Sequence, residues 1–174
     1  MTKLSKVLMS ALMAFFVTST SLAKGNKEIQ SLSGKVVSCH DGDTCRVLLK
    51  DKNKEIKVRF AGIDTPELKQ SYGKDAQRFT ESLVKNQNVD LKCNGNSFDR
   101  VTCEVFLGQK SVNEEIVKSG WAWDSPKFSK GKFAQAMNEA RAKKIGIWKD
   151  HVVSPFCFRH KDSRKCAVDQ TYME

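Results

Sequence analysis

Among its 174 residues the sequence has only three histidines and no Cys-x-x-Cys pair, so the ligand spacings of structural zinc sites are missing. No apolar run is long enough to cross a bilayer, and the one over residues 7–17 falls short of a span. Internal repeats and low-complexity segments are absent, which sets aside solenoids and arrays. No basic helix with a strongly apolar face stands out, so an anionic membrane is the weakest of the polyanionic partners. Negative charge is the scarce sign: 20 Asp and Glu against 30 Lys and Arg give a formal charge of +10. That excess favours nucleic acid or acidic polysaccharide, although charge alone does not choose, and many exported proteins are basic without binding either.

What is present begins with Lys3 and Lys6 ahead of the apolar run, followed by small polar residues ending in Ser21-Leu22-Ala23. A short positive region, an apolar region and a small-x-small site describe a secretory signal peptide. We expect residues 1–23 to be removed and the product to be exported, either secreted or periplasmic. The leader holds two basic residues and no acidic one, so the remaining chain keeps most of its positive charge. Residues 24–150 are expected to form one domain with its own core, and 151–174 a disulfide-tied tail.

All six cysteines, Cys39, Cys45, Cys93, Cys103, Cys157 and Cys166, lie beyond the leader, which reads as three disulfides in an oxidising compartment. Sequence alone does not fix the pairing. Local pairs are expected, Cys39 with Cys45, Cys93 with Cys103 and Cys157 with Cys166, because the first two flank hairpin turns where opposed residues come within reach.

Val36 and Val37 lead to Cys39, Asp41-Gly42-Asp43 makes the turn, and Cys45, Val47 and Leu49 alternate away from it. Ile56, Val58 and Phe60 alternate with Lys57 and Arg59, as do the apolar residues of 89–93 and 101–107. Helical spacing appears over 73–86, 112–119 and 132–144, the last two stopped by Gly120 and Gly146. Trp121 and Trp123 are assigned to core packing in preference to base stacking. The tail from His151 shows no regular period. Its Arg159, His160, Lys161, Arg164 and Lys165 read either as a solvated face or as nucleic-acid contacts. Five strands with a helix between the third and fourth predict an α+β fold, a five-stranded OB-fold β-barrel with three α-helices.

The segment from Arg59 to Glu67 concentrates chemistry. Arg59 leaves its strand opposite the apolar residues, and past Gly62 the chain offers Asp64 and Glu67, hard oxygen ligands or a general base. Thr65-Pro66-Glu67 is equally a helix start, with Thr65 as N-cap and Pro66 at the first helical position. Both readings stay open on these residues alone.

Five pieces in order resemble the staphylococcal nuclease (thermonuclease, micrococcal nuclease) family: Asp41-Gly42-Asp43-Thr44; Arg59 with Asp64-Thr65-Pro66-Glu67; Arg100; Val112-Asn113-Glu114 with Gly120; and Ala140-Arg141 with Gly146-Ile147-Trp148. They cover residues 34–148. The resemblance implies an OB barrel and calcium-dependent hydrolysis of phosphodiesters in DNA and RNA, giving 3′-phosphates. It implies Asp43, Asp64 and the Thr65 carbonyl as calcium ligands, Asp41 as an accessory acid near metal-bound water, Glu67 as general base, and Arg59 and Arg100 as phosphate contacts. Where the family has Lys-Tyr-Gly before its second arginine this chain has Ser97-Phe98-Asp99, so Phe98 keeps a ring for substrate stacking without the phenol. A second family tyrosine falls near Ser125 or Pro126. The expected partners are DNA and RNA, with the protein a monomer and free of the membrane once the leader is gone. The alternative is an OB-fold nucleic-acid-binding module, catalytically weak or inactive; a polysaccharide binder would leave the arginines and carboxylates unexplained.

Overall fold

The computed structural model describes residues 29–97, 100–163 and 166. The expected leader over 1–23, Phe98, Arg164 and Lys165 lie outside the described residues. The alternating apolar segments form strands β1 (Gln30–Cys39), β2 (Thr44–Leu49) and β3 (Glu55–Phe60), followed by a short β4 (Ile63–Asp64). Helix α1 (Gly73–Val84) connects to β5 (Asn88–Ser97), β6 (Arg100–Leu107) and the short β7 (Lys110–Ser111). Then come α2 (Val112–Lys118), β8 (Trp123–Asp124), α3 (Pro126–Ser129), α4 (Ala134–Ala142), a 3-10 turn (Gly146–Lys149) and α5 (Pro155–Arg159).

The sheet runs β3-β2-β1-β5-β6-β7, and β3 also pairs with β6 in parallel, which closes five long strands into a barrel. Closure removes the exposed edges that an open sheet would present. Every second residue enters the barrel: Val36, Val47, Val58, Phe60, Leu91 and Val105 are all essentially solvent-free. This is the OB-fold that the strand pattern predicts.

Three disulfides join the cysteines as expected. Cys39 pairs with Cys45 directly across β1 and β2, and Cys93 with Cys103 across β5 and β6, each at a Cα separation of 3.9 Å. Cys157 joins Cys166 beside α5.

The helical part differs from expectation in three places. Thr65 does not cap a helix. Its backbone N–H is taken by Asp43 Oδ2 at 2.8 Å, the chain turns with Gln70 N–H on the Glu67 carbonyl at 2.8 Å, and α1 begins only at Gly73. The last expected helix, over 132–144, is shortened to α4, and the residues before it form α3, a single turn with Pro126 at its start. The tail holds α5, with Pro155 in its first turn and the Ser154 hydroxyl accepting the Cys157 N–H at 3.3 Å. A helix this short has too few residues to show a period.

Trp121 packs against the core as expected, whereas Trp123 is half-buried and stands outside the core cluster. Trp121 lies against Phe79 with ring centroids 5.9 Å apart, and Trp123 meets Trp148 edge-on at 5.1 Å. Behind them two glycines touch: Gly146 has φ of 61°, and a Cβ there would lie 2.1 Å from the Gly120 carbonyl oxygen. Only glycine satisfies both conditions.

Candidate nucleic-acid site at the barrel mouth

The β1–β2 turn delivers the first acids. His40 N–H bonds the Thr44 carbonyl at 2.7 Å, closing the loop, and Asp43 N–H donates to Asp41 Oδ1 at 3.1 Å within it. From outside, the Thr80 hydroxyl of α1 donates to the Gly42 carbonyl at 2.6 Å. The loop is therefore held by helix and strands together, and the Asp43 side chain is directed inward, 4% exposed.

Strand β3 delivers the cation. Arg59 stands opposite Thr44 in the β2–β3 ladder, one residue from Asp43. Its guanidinium forms an ion pair with Asp43 and donates from Nη2 to Asp64 Oδ1 at 3.0 Å. Phe60 N–H on the Asp43 carbonyl at 2.8 Å ties the two segments along the backbone.

Asp64 and Thr65 arrive by way of the turn after β3. Its position is set by Asn113 of α2, fully buried, whose Oδ1 accepts the Val105 N–H at 3.0 Å and whose Nδ2 donates to the Ala61 carbonyl at 2.8 Å. Strand β4 then pairs with β8, fixing Asp64 opposite Trp123. Asp41, Asp43, Arg59, Asp64 and Thr65, separate in sequence, are thus gathered at one mouth of the barrel.

Arg100 reaches the same cleft by register. Thr102 opposes Arg59 across the parallel β3–β6 pairing, and Arg100, two residues earlier, shares the face of Thr102. A cleft of about 740 Å³ is lined by Arg59, Asp64, Arg100, Trp123, Phe128 and Arg159, among others.

Glu67 is joined to the group by a residue that the sequence reading left in the tail. Arg159 of α5 donates from Nη1 to Glu67 Oε1 at 2.5 Å and from Nη2 to Asp64 Oδ2 at 2.7 Å. The only hint in the sequence was a basic cluster inside the Cys157–Cys166 bracket, a pattern that solvated tails share.

The electrostatics follow from this crowding. Burial, then the neighbouring Asp43 carboxylate, push Asp41 up to about 7 against the opposing pull of Arg59. Burial likewise raises Asp64, although hydrogen bonding from Arg159 works the other way. For Arg59 burial disfavours the charge, but Asp43, Asp64 and Asp41 together outweigh it and raise its pKa. Positive charge is what these carboxylates call for, and two arginines supply it.

The class defined by these features is a closed OB barrel with arginine–carboxylate pairs set around one mouth. Comparison with known proteins is more specific. A family model described as "Staphylococcal nuclease homologue" matches residues 57–150. An "Uncharacterized endonuclease" of Haemophilus influenzae is 34% identical over 171 residues, covering 96% of this chain and 93% of its own. An "Uncharacterized endonuclease" of Escherichia coli is 32% identical over 134 residues, covering 75% of this chain and 86% of its own. "Staphylococcal-like nuclease CAN1" of Arabidopsis thaliana is 32% identical over 97 residues, 55% of this chain and 30% of its own. The chain belongs to the staphylococcal nuclease homologue family, and that membership supports a role in hydrolysing nucleic acid.

Among the described residues no helix is long and apolar enough to cross a membrane. No group of three or more His, Cys, Asp or Glu side chains among them is placed to hold a metal ion.

Proposed function

We propose that the protein is an exported, calcium-dependent nuclease that hydrolyses phosphodiester bonds of DNA and RNA and releases 3′-phosphates. The observation that carries this reading is Arg59 bound to both Asp43 and Asp64 at the mouth of a cleft that also holds Arg100. Family membership and the excess of basic over acidic residues beyond the leader support the same substrate. The three disulfides and the leader-like residues 1–23 favour export.

The donor set suits calcium. Asp43, Asp64 and the Thr65 carbonyl are all hard oxygens, as that ion prefers, and the upward pressure on Asp41 and Asp64 is what a cation relieves. Asp43, Asp64 and Thr65 would hold the ion, with water filling the rest of its coordination. When bound, the ion supplies Lewis-acid stabilisation of the charge that builds on the phosphoryl oxygens.

The residues do the rest. Arg59 and Arg100, two rungs apart on adjacent strands, present donor forks to a phosphate in the cleft. Asp43 and the neighbouring Asp64 keep Arg59 charged and aimed. Glu67, freed from Arg159, accepts the proton of the attacking water, and Asp41 holds water at the edge of the group. The water oxygen bonds to phosphorus as the P–O5′ bond breaks, and the departing 5′ oxygen takes a proton from solvent.

A second reading is favoured by a specific observation. Both Asp64 and Glu67 are engaged by Arg159, and no cluster of three metal-binding side chains stands among the described residues. On that basis the protein is an OB-fold nucleic-acid-binding module of weak or no activity. Incubating the mature protein with plasmid and RNA, in calcium or in chelator, decides. Degradation lost in chelator supports the nuclease; a gel shift without cleavage supports the module.

A further inference from the structure

Both oxygens of Asp64 are engaged by arginines. Its Oδ1 accepts from Arg59 at 3.0 Å and from Arg159 Nη1 at 3.2 Å, and its Oδ2 accepts from Arg159 Nη2 at 2.7 Å. A calcium ion binds carboxylate oxygen at about 2.3–2.6 Å, inside the space that the guanidinium already fills. A divalent ion and a guanidinium on the same carboxylate also repel each other in a setting where Asp64 is largely buried. Two guanidinium groups and a divalent ion on one carboxylate leave an excess of positive charge, which favours release of one guanidinium.

Arg59 sits on a barrel strand and is held by Asp43 as well, so it is not the one to move. Arg159 has a different mounting. Its short helix is fixed by Pro155 and Cys157, both buried, by the Cys157–Cys166 disulfide, and by the Val153 carbonyl, which accepts from the Gln70 side-chain amide. The same Gln70 side chain accepts the Glu67 N–H at 3.2 Å. The base of the helix is therefore anchored to the Glu67 turn, while the Arg159 side chain, 38% exposed, lies across the open side of the site.

We propose that Arg159 is an internal competitor for the cation site, a side chain that neutralises Asp64 and Glu67 in the resting protein and sets the divalent-cation affinity by having to be displaced. This deepens the nuclease reading and rests on its assignment of Asp64 as a cation ligand. Displacement frees Glu67 at the same time, so cation binding and release of the base are one event. Arg159 already lines the cleft that holds Arg59 and Arg100, where a phosphodiester would offer the displaced guanidinium new acceptors. The bound nucleic acid thereby favours the displaced position.

The test is calorimetric titration of calcium into the full mature protein and into Arg159→Gln, Arg159→Lys and Asp64→Asn. Arg159→Gln is expected to bind calcium on the order of tenfold more tightly than wild type, since a charge-assisted pair no longer has to be broken. Arg159→Lys should fall between them, and Asp64→Asn should lose binding. An affinity of Arg159→Gln equal to or weaker than wild type, with binding still lost in Asp64→Asn, overturns the competition and leaves the ligand assignment standing. Failure of both wild type and Arg159→Gln to bind calcium overturns the cation reading and the competition with it. Thermal melting gives a second readout. Arg159→Gln should melt below wild type in chelator and gain more from added calcium; an equal gain in the two proteins marks a structural role only and overturns the proposal.

Discussion

Arg59 and Asp43 lie 16 positions apart in the chain and form an ion pair in which the arginine side chain is 23% exposed and the aspartate 5%. A pair so withdrawn from water is costly to break from one side, because the partner stays behind unneutralised. Arg59→Gln is expected to lower unfolding free energy by about 3 kcal/mol in chelator, measured by urea denaturation. A loss under about 1 kcal/mol, the range of exposed pairs, would show that the pairing does little for the fold.

Glu67→Gln keeps the size of the side chain and its reach toward the cleft but removes the proton acceptor. A fall in kcat of about a hundredfold or more is expected, with KM little changed. Unaltered turnover in calcium would rule Glu67 out as the base.

Asn113→Ala strips the buried Val105 N–H and the partly buried Ala61 carbonyl of their partner. Two orphaned groups correspond to roughly 2–4 kcal/mol of lost stability. Activity should fall beyond what unfolding accounts for, since Ala61 leads directly into the turn carrying Asp64. Chemical denaturation alongside a plasmid assay at low temperature separates the two effects.

The raised Asp41 gives a pH signature. Its carboxyl has a folded pKa of about 7 against an ordinary 3.8, so the folded state holds a proton that the unfolded chain has given up. The stabilisation is complete below the ordinary value and is lost as pH rises through the folded one. In chelator, unfolding free energy should decline between pH 4 and 7 by up to about 1.4 kcal/mol per pH unit, and Asp41→Asn should flatten that slope. A wild-type profile already flat over the window would contradict the assignment.

Gly146→Ala forces a Cβ against the Gly120 carbonyl at positive φ. A loss of about 2 kcal/mol or more is expected, read as a lower melting temperature. Wild-type stability would mean that the two backbone segments separate at no cost.

The parts of this architecture that were legible in the sequence are those governed by neighbours in the chain. Alternation gave the barrel strands, Asp41-Gly42-Asp43 gave the first turn, and opposed cysteines gave the hairpin staples. The face of Arg59 followed from the apolar residues on either side of it. What escaped is set by distant partners. Thr65 looks like a helix cap until Asp43, far upstream, captures its N–H. Asn113 looks like an ordinary helix residue until Ala61 and Val105 are brought to it. Arg159 has nothing in its surroundings along the chain to separate it from the lysines and histidine beside it, and only the folded arrangement sets it on Asp64 and Glu67.

The Cys39–Cys45 bridge closes the base of the loop that presents Asp41 and Asp43. The same loop is also held by the Thr80 hydroxyl on the Gly42 carbonyl and by the Asp43–Arg59 ion pair, so the bridge adds a covalent tie to contacts already present. Oxidation therefore stabilises the loop that carries the two acids as well as the barrel. If the protein is exported as proposed, the bridge forms once the chain has left the reducing interior.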